Sequence, residues 1–373
     1  MDGTAGSGRL PAMLREFHVK NFRTLLDVRI NLQPLTVFIG PNNSGKSNMV
    51  RAIKKFAELH KGQQWPQDWA ASSMPLSYFV VVDKDGDDFQ VSVQWPNDSY
   101  PQGLVSLRIS GAANFQIDVE ARSQELKGFG GANVDSSNPG GLLKSLLAWP
   151  KTAPPSWRQV SDFFAATRVI SLSVPSLRAP ASIGPKPELG ERGEGFAAVL
   201  DDIAGNNPRI KKVIDQELAR VAPGISGFTT QASATGQKVA ALIENDAVYP
   251  ASDVSDGLLL YLGITTAAQL TPGSLLIIEE PENGIHPRRL RALLDQLRTV
   301  VKAGTQVILT THSPLIVNEF RDTPEAVVVF DRDPIAGTRV RMLDENEPML
   351  KDLGEMSLGD LWTSGAIGGV PAL

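Results

Sequence analysis

The run Gly40-Pro41-Asn42-Asn43-Ser44-Gly45-Lys46-Ser47 has the residue types and spacing needed to hold a chain of phosphates. A glycine on either side lets the backbone bend until successive N–H groups face one point, and a helix opening there adds its positive end. In this pattern Gly40, Asn42, Asn43, Ser44 and Gly45 form a cradle, the Lys46 ammonium reaches the β- and γ-phosphates, and the Ser47 hydroxyl ligates Mg²⁺. A nucleotide with its magnesium is the chemistry the loop serves.

An acidic pair supplies the second half of that chemistry. The apolar run Leu275-Leu276-Ile277-Ile278 reads as a buried strand that stops on Glu279 and Glu280. Two carboxylates at such an end have a specific use: Glu279 to hold the Mg²⁺ shell, and Glu280 to orient and deprotonate an attacking water. After the next predicted strand comes Thr310-Thr311-His312-Ser313, whose His312 can donate to a γ-phosphate and report its presence. More than half the chain separates Lys46 from Glu280, far more than small GTPases or AAA+ motors need, and no Asn-Lys-x-Asp guanine-reading segment occurs. ATP is therefore the expected nucleotide. The chain has no cysteine, and its 4 histidines are scattered without ligand spacing, so any metal is expected to arrive with ATP.

These residues need a sheet to bring them together. Residues 14–39 alternate as two or three strands ending in the apolar run Leu35 to Ile39, and Met49, Val50, Ile53, Phe56 and Ala57 then recur at helical spacing until Gly62. Residues 76–121 predict an antiparallel sheet, with a loose Gly/Asn/Ser-rich loop over 127–141. A strand is expected over 168–174, an irregular connection over 175–195, a helix near 196–203, and another from Asn207-Pro208 with Ile210, Val213, Ile214, Leu218 and Val221 inward. Paired strands follow at 227–231 and 238–244. A helix over 255–270 is apolar all round, and 287–301 is an amphipathic helix between strands at 275–278 and 307–310, with one more strand at 327–330. The fold class is thus α/β, with a mostly parallel core sheet, an antiparallel β-subdomain and a helical lobe. The expected organisation is a flexible tail (1–13), an N-terminal lobe with the phosphate loop (14–62), an antiparallel insertion (63–165), a connecting strand and helical lobe (166–250), and a C-terminal lobe (251–373).

Composition excludes several classes. Hydrophobic residues at 42% and charged residues at 21% are those of a globular protein, no apolar run reaches membrane-spanning length, and the start lacks a secretion signal. Cytoplasmic residence is the expectation. A net charge of −5 argues against a nucleic-acid footprint over the whole surface but leaves local basic groups, at Arg209, Lys211 and Lys212 and at Arg288, Arg289 and Arg291.

Taken in order, the motifs resemble those of ABC-type ATPases of the RecF, SMC and OLD group, especially stand-alone OLD-like ATPases found among bacterial defence genes. The markers are Lys20-Asn21-Phe22-Arg23, the phosphate loop with Asn48 after it, Ser255-Asp256-Gly257, the run Ile278 to Pro287, and Leu309 to Pro314. The resemblance implies an ABC-type head that forms a homodimer on ATP, with Arg23 and Asn48 among the nucleotide-binding residues. It also implies that Ser255, Asp256 and Gly257 act as a signature against the partner's phosphates, and that Asn283 to His286 occupy the place of the loop touching the partner. Two departures stand out. Glu279 replaces the usual Asp, as in OLD-like members, and no glutamine follows the 168–174 strand, where Ser173, Ser176 or Arg178 are candidate substitutes. The short run after the last strand leads to the expectation that no Toprim nuclease domain is present. The expected role is regulatory: an anti-phage ATPase controlling DNA engagement or a separate effector such as a nuclease. The alternatives are a RecF-like repair clamp and, disfavoured by the missing Leu-Ser-Gly-Gly-Gln signature, a transporter's ATP-binding subunit.

Overall fold

The computed structural model describes residues 12–61, 76–84, 87–94, 104–110, 115–117, 155–344 and 356–371. The loop expected at 127–141 lies outside them. Three strands open the chain, β1 (Met13–Phe22), β2 (Leu25–Asn31) and β3 (Leu35–Ile39), followed by helix α1 (Lys46–His60). Then come β4 (Ser77–Lys84), β5 (Asp87–Gln94), β6 (Leu104–Ser110), β7 (Phe115–Ile117), α2 (Pro155–Ala165), β8 (Arg168–Ile170) and α3 (Val174–Arg178). The middle holds α4 (Phe196–Asn206), α5 (Pro208–Val221), β9 (Ile225–Ala232), β10 (Lys238–Glu244) and β11 (Ala247–Pro250). The last third alternates α6 (Asp256–Gln269), β12 (Leu275–Glu279), α7 (Pro287–Lys302), β13 (Gln306–Thr310), α8 (Pro314–Asn318), β14 (Val327–Asp333), β15 (Gly337–Met342) and α9 (Leu358–Thr363).

The central sheet has the order β15-β14-β3-β13-β12-β8, parallel throughout except for β15. Its strands read as unbroken apolar runs because both faces are covered. Val37, Ile39, Leu276, Ile278 and Leu309 face one core with α4 to α7, while Phe38, Ile277, Ile308, Val328 and Phe330 face a second core with α1 and β1. The antiparallel strands form a second sheet, β2-β1-β4-β5-β6-β7, so β4 to β7 extend the sheet that β1 and β2 begin. A three-stranded sheet, β11-β10-β9, lies beside the helices. Helix α6 is buried from Gly257 to Ala268, as its all-round apolarity predicts.

Local physics moved several boundaries. The strand expected over 168–174 stops at Ile170, because Ser171 and Ser173 donate their backbone N–H groups to Glu191 O and Arg192 O, and Ser173 then caps α3. Val213 is 39% exposed rather than inward, while on α5 Ile214 and Leu218 are buried and Ile210 and Val221 pack against the same core. Strand β15, where Thr338, Val340 and Met342 alternate, and helix α2, where Val160, Phe163 and Phe164 recur at helical spacing, are additional to the expected elements.

Gln306, at the start of β13, ties the parallel sheet to the N-terminal strands. Its Oε1 accepts from Leu14 N at 2.9 Å, and its Nε2 donates to Leu14 O at 2.8 Å and Gln33 O at 3.1 Å. The two bonds to Leu14 are buried and the one to Gln33 partly so, with Gln306 2% exposed. Gln306→Ala leaves these backbone groups unpaired and is expected to lower stability by about 3 kcal/mol. Urea unfolding checks this: the midpoint should fall with an unchanged slope, and a loss below about 1 kcal/mol would contradict it.

Candidate nucleotide site

The phosphate loop forms because a buried strand must reach a helix without closing over its own end. At Gly40 the φ is +144° and an added Cβ would lie 2.2 Å from Phe330 O; at Gly45 the φ is +111° and a Cβ would lie 2.1 Å from Thr338 Oγ1. No other residue fits either place. Asn43 takes the remaining left-handed position, φ 65°. The first helical bond, Met49 N to Gly45 O at 2.9 Å, starts α1, so the helix's positive end points into the loop.

Register sets the opposite wall. Phe38 is level with Thr310, and Thr310 with Glu279, so the loops after β3, β13 and β12 leave the sheet side by side at its carboxyl edge. Between them is a cleft of about 280 Å³, lined by residues 42–48 together with Arg51, Glu280, Thr310 and His312. Lys46 Nζ donates to Gly40 O at 2.6 Å and Pro41 O at 3.0 Å. Burial lowers this ammonium to about 8, against the opposing charges of Glu280 and Glu282. The Ser44 hydroxyl is buried without a hydrogen-bond partner.

Glu280 is held in the left-handed region, φ 49°, its backbone N donating to Thr310 O at 3.0 Å. Asn283 Nδ2 donates to its Oε2 at 2.7 Å, and His312 Nε2 stands 3.7 Å from its Oε1. Burial, then the charge of Lys46, lower the His312 pKa, with Glu280 and Glu282 opposing. Near neutral pH its imidazole is therefore uncharged, one nitrogen a donor and the other an acceptor. Burial raises the Glu279 carboxyl, a hydrogen bond with Ser47 works against that, Glu191 adds to it and Arg51 opposes it. A hydroxyl and a carboxylate in contact are hard oxygen donors that fit Mg²⁺. No cluster of three His, Cys, Asp or Glu able to hold a metal occurs among the described residues, so the ion's other ligands would be phosphates and water.

The other expected site residues divide between the cleft and positions outside it. Asn48 lines the cleft, but its Nδ2 donates to Thr24 Oγ1 at 2.8 Å, which is in turn 2.8 Å from Thr338 Oγ1, so it anchors the loop to the β1–β2 turn and β15. Arg23 is exposed in that turn and does not line the cleft. Ser255, Asp256 and Gly257 begin α6 and also stand outside their own chain's cleft. The Ser255 hydroxyl makes no capping bond. Arg178 clamps the segment before α6, donating to Ala251 O, Val254 O and Asp256 Oδ1 at 2.9, 2.8 and 2.7 Å. Ser173 and Ser176 bond each other across the start of α3. The sequence reading passed over Arg51, one helical turn past Ser47 on α1, and Glu282, whose only signal was its place two residues past Glu280.

Two family models match this chain: "AAA domain, putative AbiEii toxin, Type IV TA system" over residues 161–318 and "AAA ATPase domain" over residues 13–95. An OLD nuclease of Thermus scotoductus is 24% identical over 352 residues, 86% of this chain and 63% of its own length. The Old nuclease of Escherichia phage P2 is 22% identical over 334 residues, 80% of this chain and 56% of its own. The chain thus spans about three-fifths of these curated relatives. Among solved structures, an SMC head bound to the C-terminal winged-helix domain of ScpA superimposes with a TM-score of 0.56 at 13% identity, covering 89% of this chain and 98% of that one. An SMC head with an extended coiled coil, bound to the C-terminal domain of ScpA from Pyrococcus furiosus, gives 0.53 at 10% identity, covering 92% and 99%. Both are likenesses of fold. No helix among the described residues is long and apolar enough to cross a membrane.

A polyphosphate is bound best while Lys46 keeps its proton. With that ammonium at about 8, ATP affinity is expected to hold steady below neutrality and to fall as pH rises through that value. Lys46→Ala should bind weakly and without this slope. Titration calorimetry across the range decides it; an identical slope in the variant would remove Lys46 as its origin.

Proposed function

We infer that this chain, an ATPase of the OLD- and SMC-like AAA group, hydrolyses Mg-ATP at a site shared between two copies of itself. The observation that carries the reading is a division of parts. Lys46, Ser47, Glu279, Glu280 and His312 converge on one edge of the sheet, while Ser255 to Gly257 stand apart from it with the Ser255 hydroxyl unused as a cap. A helix start with an uncommitted hydroxyl suits the phosphates of a partner's nucleotide.

Within one cleft the geometry supports a separate role for each group. The loop N–H groups and Lys46 hold the triphosphate, and the neutral His312 donates to its end. Ser47 and Glu279 would hold magnesium, which would supply Lewis-acid stabilisation of the charge on the transferred phosphate. Glu280, fixed by Asn283 and beside His312, takes the proton of the attacking water. ATP closes the dimer and hydrolysis reopens it.

In this reading the cycle is regulatory and cytoplasmic: it controls DNA engagement or a separate effector, such as a nuclease, in anti-phage defence. The relatives' names supply the nuclease association. A DNA-clamp reading draws on Arg288 and Arg289, which form no ion pair among the described residues, whereas Arg291 pairs with Glu319 and Lys211 with Asp215.

Glu280→Gln is expected to cut ATP turnover at least about tenfold, roughly 1.4 kcal/mol of barrier, and to sediment as a dimer with ATP. Turnover equal to wild type would remove Glu280 as the base. A monomer at saturating ATP would remove the shared site.

A further inference from the structure

Glu282, an acid whose charge reaches the cleft, is left without a task by these roles. It lies on the turn between β12 and α7, and its Oε1 accepts two bonds from the loop after β13: from Thr311 Oγ1 at 2.8 Å and from His312 N at 2.7 Å. Its Oε2 is buried without a partner. A half-satisfied buried carboxylate is unfavourable for stability by itself, which makes its placement worth a functional explanation. Its charge acts on both Lys46 and His312.

The bracket has two sides. Toward the cleft, Thr311 N donates to Phe38 O at 3.1 Å and Thr311 Oγ1 accepts from Ser313 N at 2.9 Å, so the His312 loop is pinned to β3 and Glu282 together. On the other side, Ile285 N donates to Glu282 O at 3.2 Å, tightening the turn that carries Gly284. Gly284 O in turn sits against the start of α6, where a Cβ on Gly257 would meet it at 2.5 Å. A continuous path of hydrogen bonds and one close backbone contact therefore runs from His312 through Glu282 to the helix start at Ser255.

We propose that Glu282 is a positioning residue that transmits nucleotide occupancy at His312 to the turn 283–286 and, through Gly284, to the amino end of α6. A shift of the His312 loop toward a terminal phosphate carries the His312 backbone N–H with it, and that N–H is bonded to Glu282. The turn must follow or lose the bond. This rests on the nucleotide reading of the cleft but not on dimerisation, because every contact in the path lies within one chain.

Hydrogen exchange read by mass spectrometry tests it on the full chain, with and without Mg²⁺ and a non-hydrolysable ATP analogue. In wild type the analogue should slow exchange over 40–50, 281–286 and 252–260. In Glu282→Ala protection should persist over 40–50 and be lost over the other two segments, while Glu282→Gln, which keeps an acceptor oxygen, restores it. Thr311→Val removes the partner instead of the acid and should weaken the same transmission, so the test survives misfolding of the alanine variant. A merely structural bracket would change the baseline exchange and leave the nucleotide-dependent difference intact, which overturns the proposal. Protection over 40–50 without any over 281–286 in wild type overturns it as well. No protection over 40–50 in wild type would instead defeat the nucleotide reading itself.

Discussion

A sheet covered on both faces can present polar groups only where its strands run out, and here three neighbouring strands run out in register. Phe38, Thr310 and Glu279 lie level across β3, β13 and β12, so the phosphate loop, the His312 loop and the Glu279–Glu280 pair emerge together. That alignment depends on Val37, Ile39, Leu276, Ile278, Leu309 and their neighbours filling two cores at once. Because side chains alternate between faces, a slip of one residue in any of these strands would exchange the two cores as well as displace the carboxylates.

The charges gathered by this register hold one another in check. Burial drives Lys46 and His312 toward their neutral forms and Glu279 toward its protonated form, and Glu280 and Glu282 resist the first two shifts. A polyanion with a divalent cation answers all three groups together, neutralising the carboxylates with metal and the ammonium with phosphate. The residues are arranged around a ligand's charges as much as around each other.

Much of the fold was legible in the sequence because its signals are local: the apolar runs of β3, β12 and β13, the helical period of α1 and α7, and the all-round apolarity of α6. The phosphate loop, Glu280 and His312 could be placed at strand ends for the same reason. What stayed hidden depends on contacts between residues far apart in the chain. Gly45 owes its necessity to Thr338, Asn48 turns to Thr24, and Arg178 serves the segment at 251–256, none of which any spacing reveals. Glu282 looked like one more acid after a catalytic pair until its bonds to Thr311 and His312 set it between two loops. Ser255 was named from its motif, but that its hydroxyl makes no capping bond to α6 is visible only in the structure.

The central claim is that one chain supplies the cradle and another the signature, and mixing two defective chains tests it most directly. Lys46→Ala disables the cradle and Ser255→Arg obstructs the signature, so each variant alone should be inactive in ATP turnover. Combined, they form a mixed dimer in which the intact cradle of one faces the intact Ser255 of the other, and turnover should reappear. Full activity of Ser255→Arg alone, or no recovery at any mixing ratio of the two folded variants, would contradict the account.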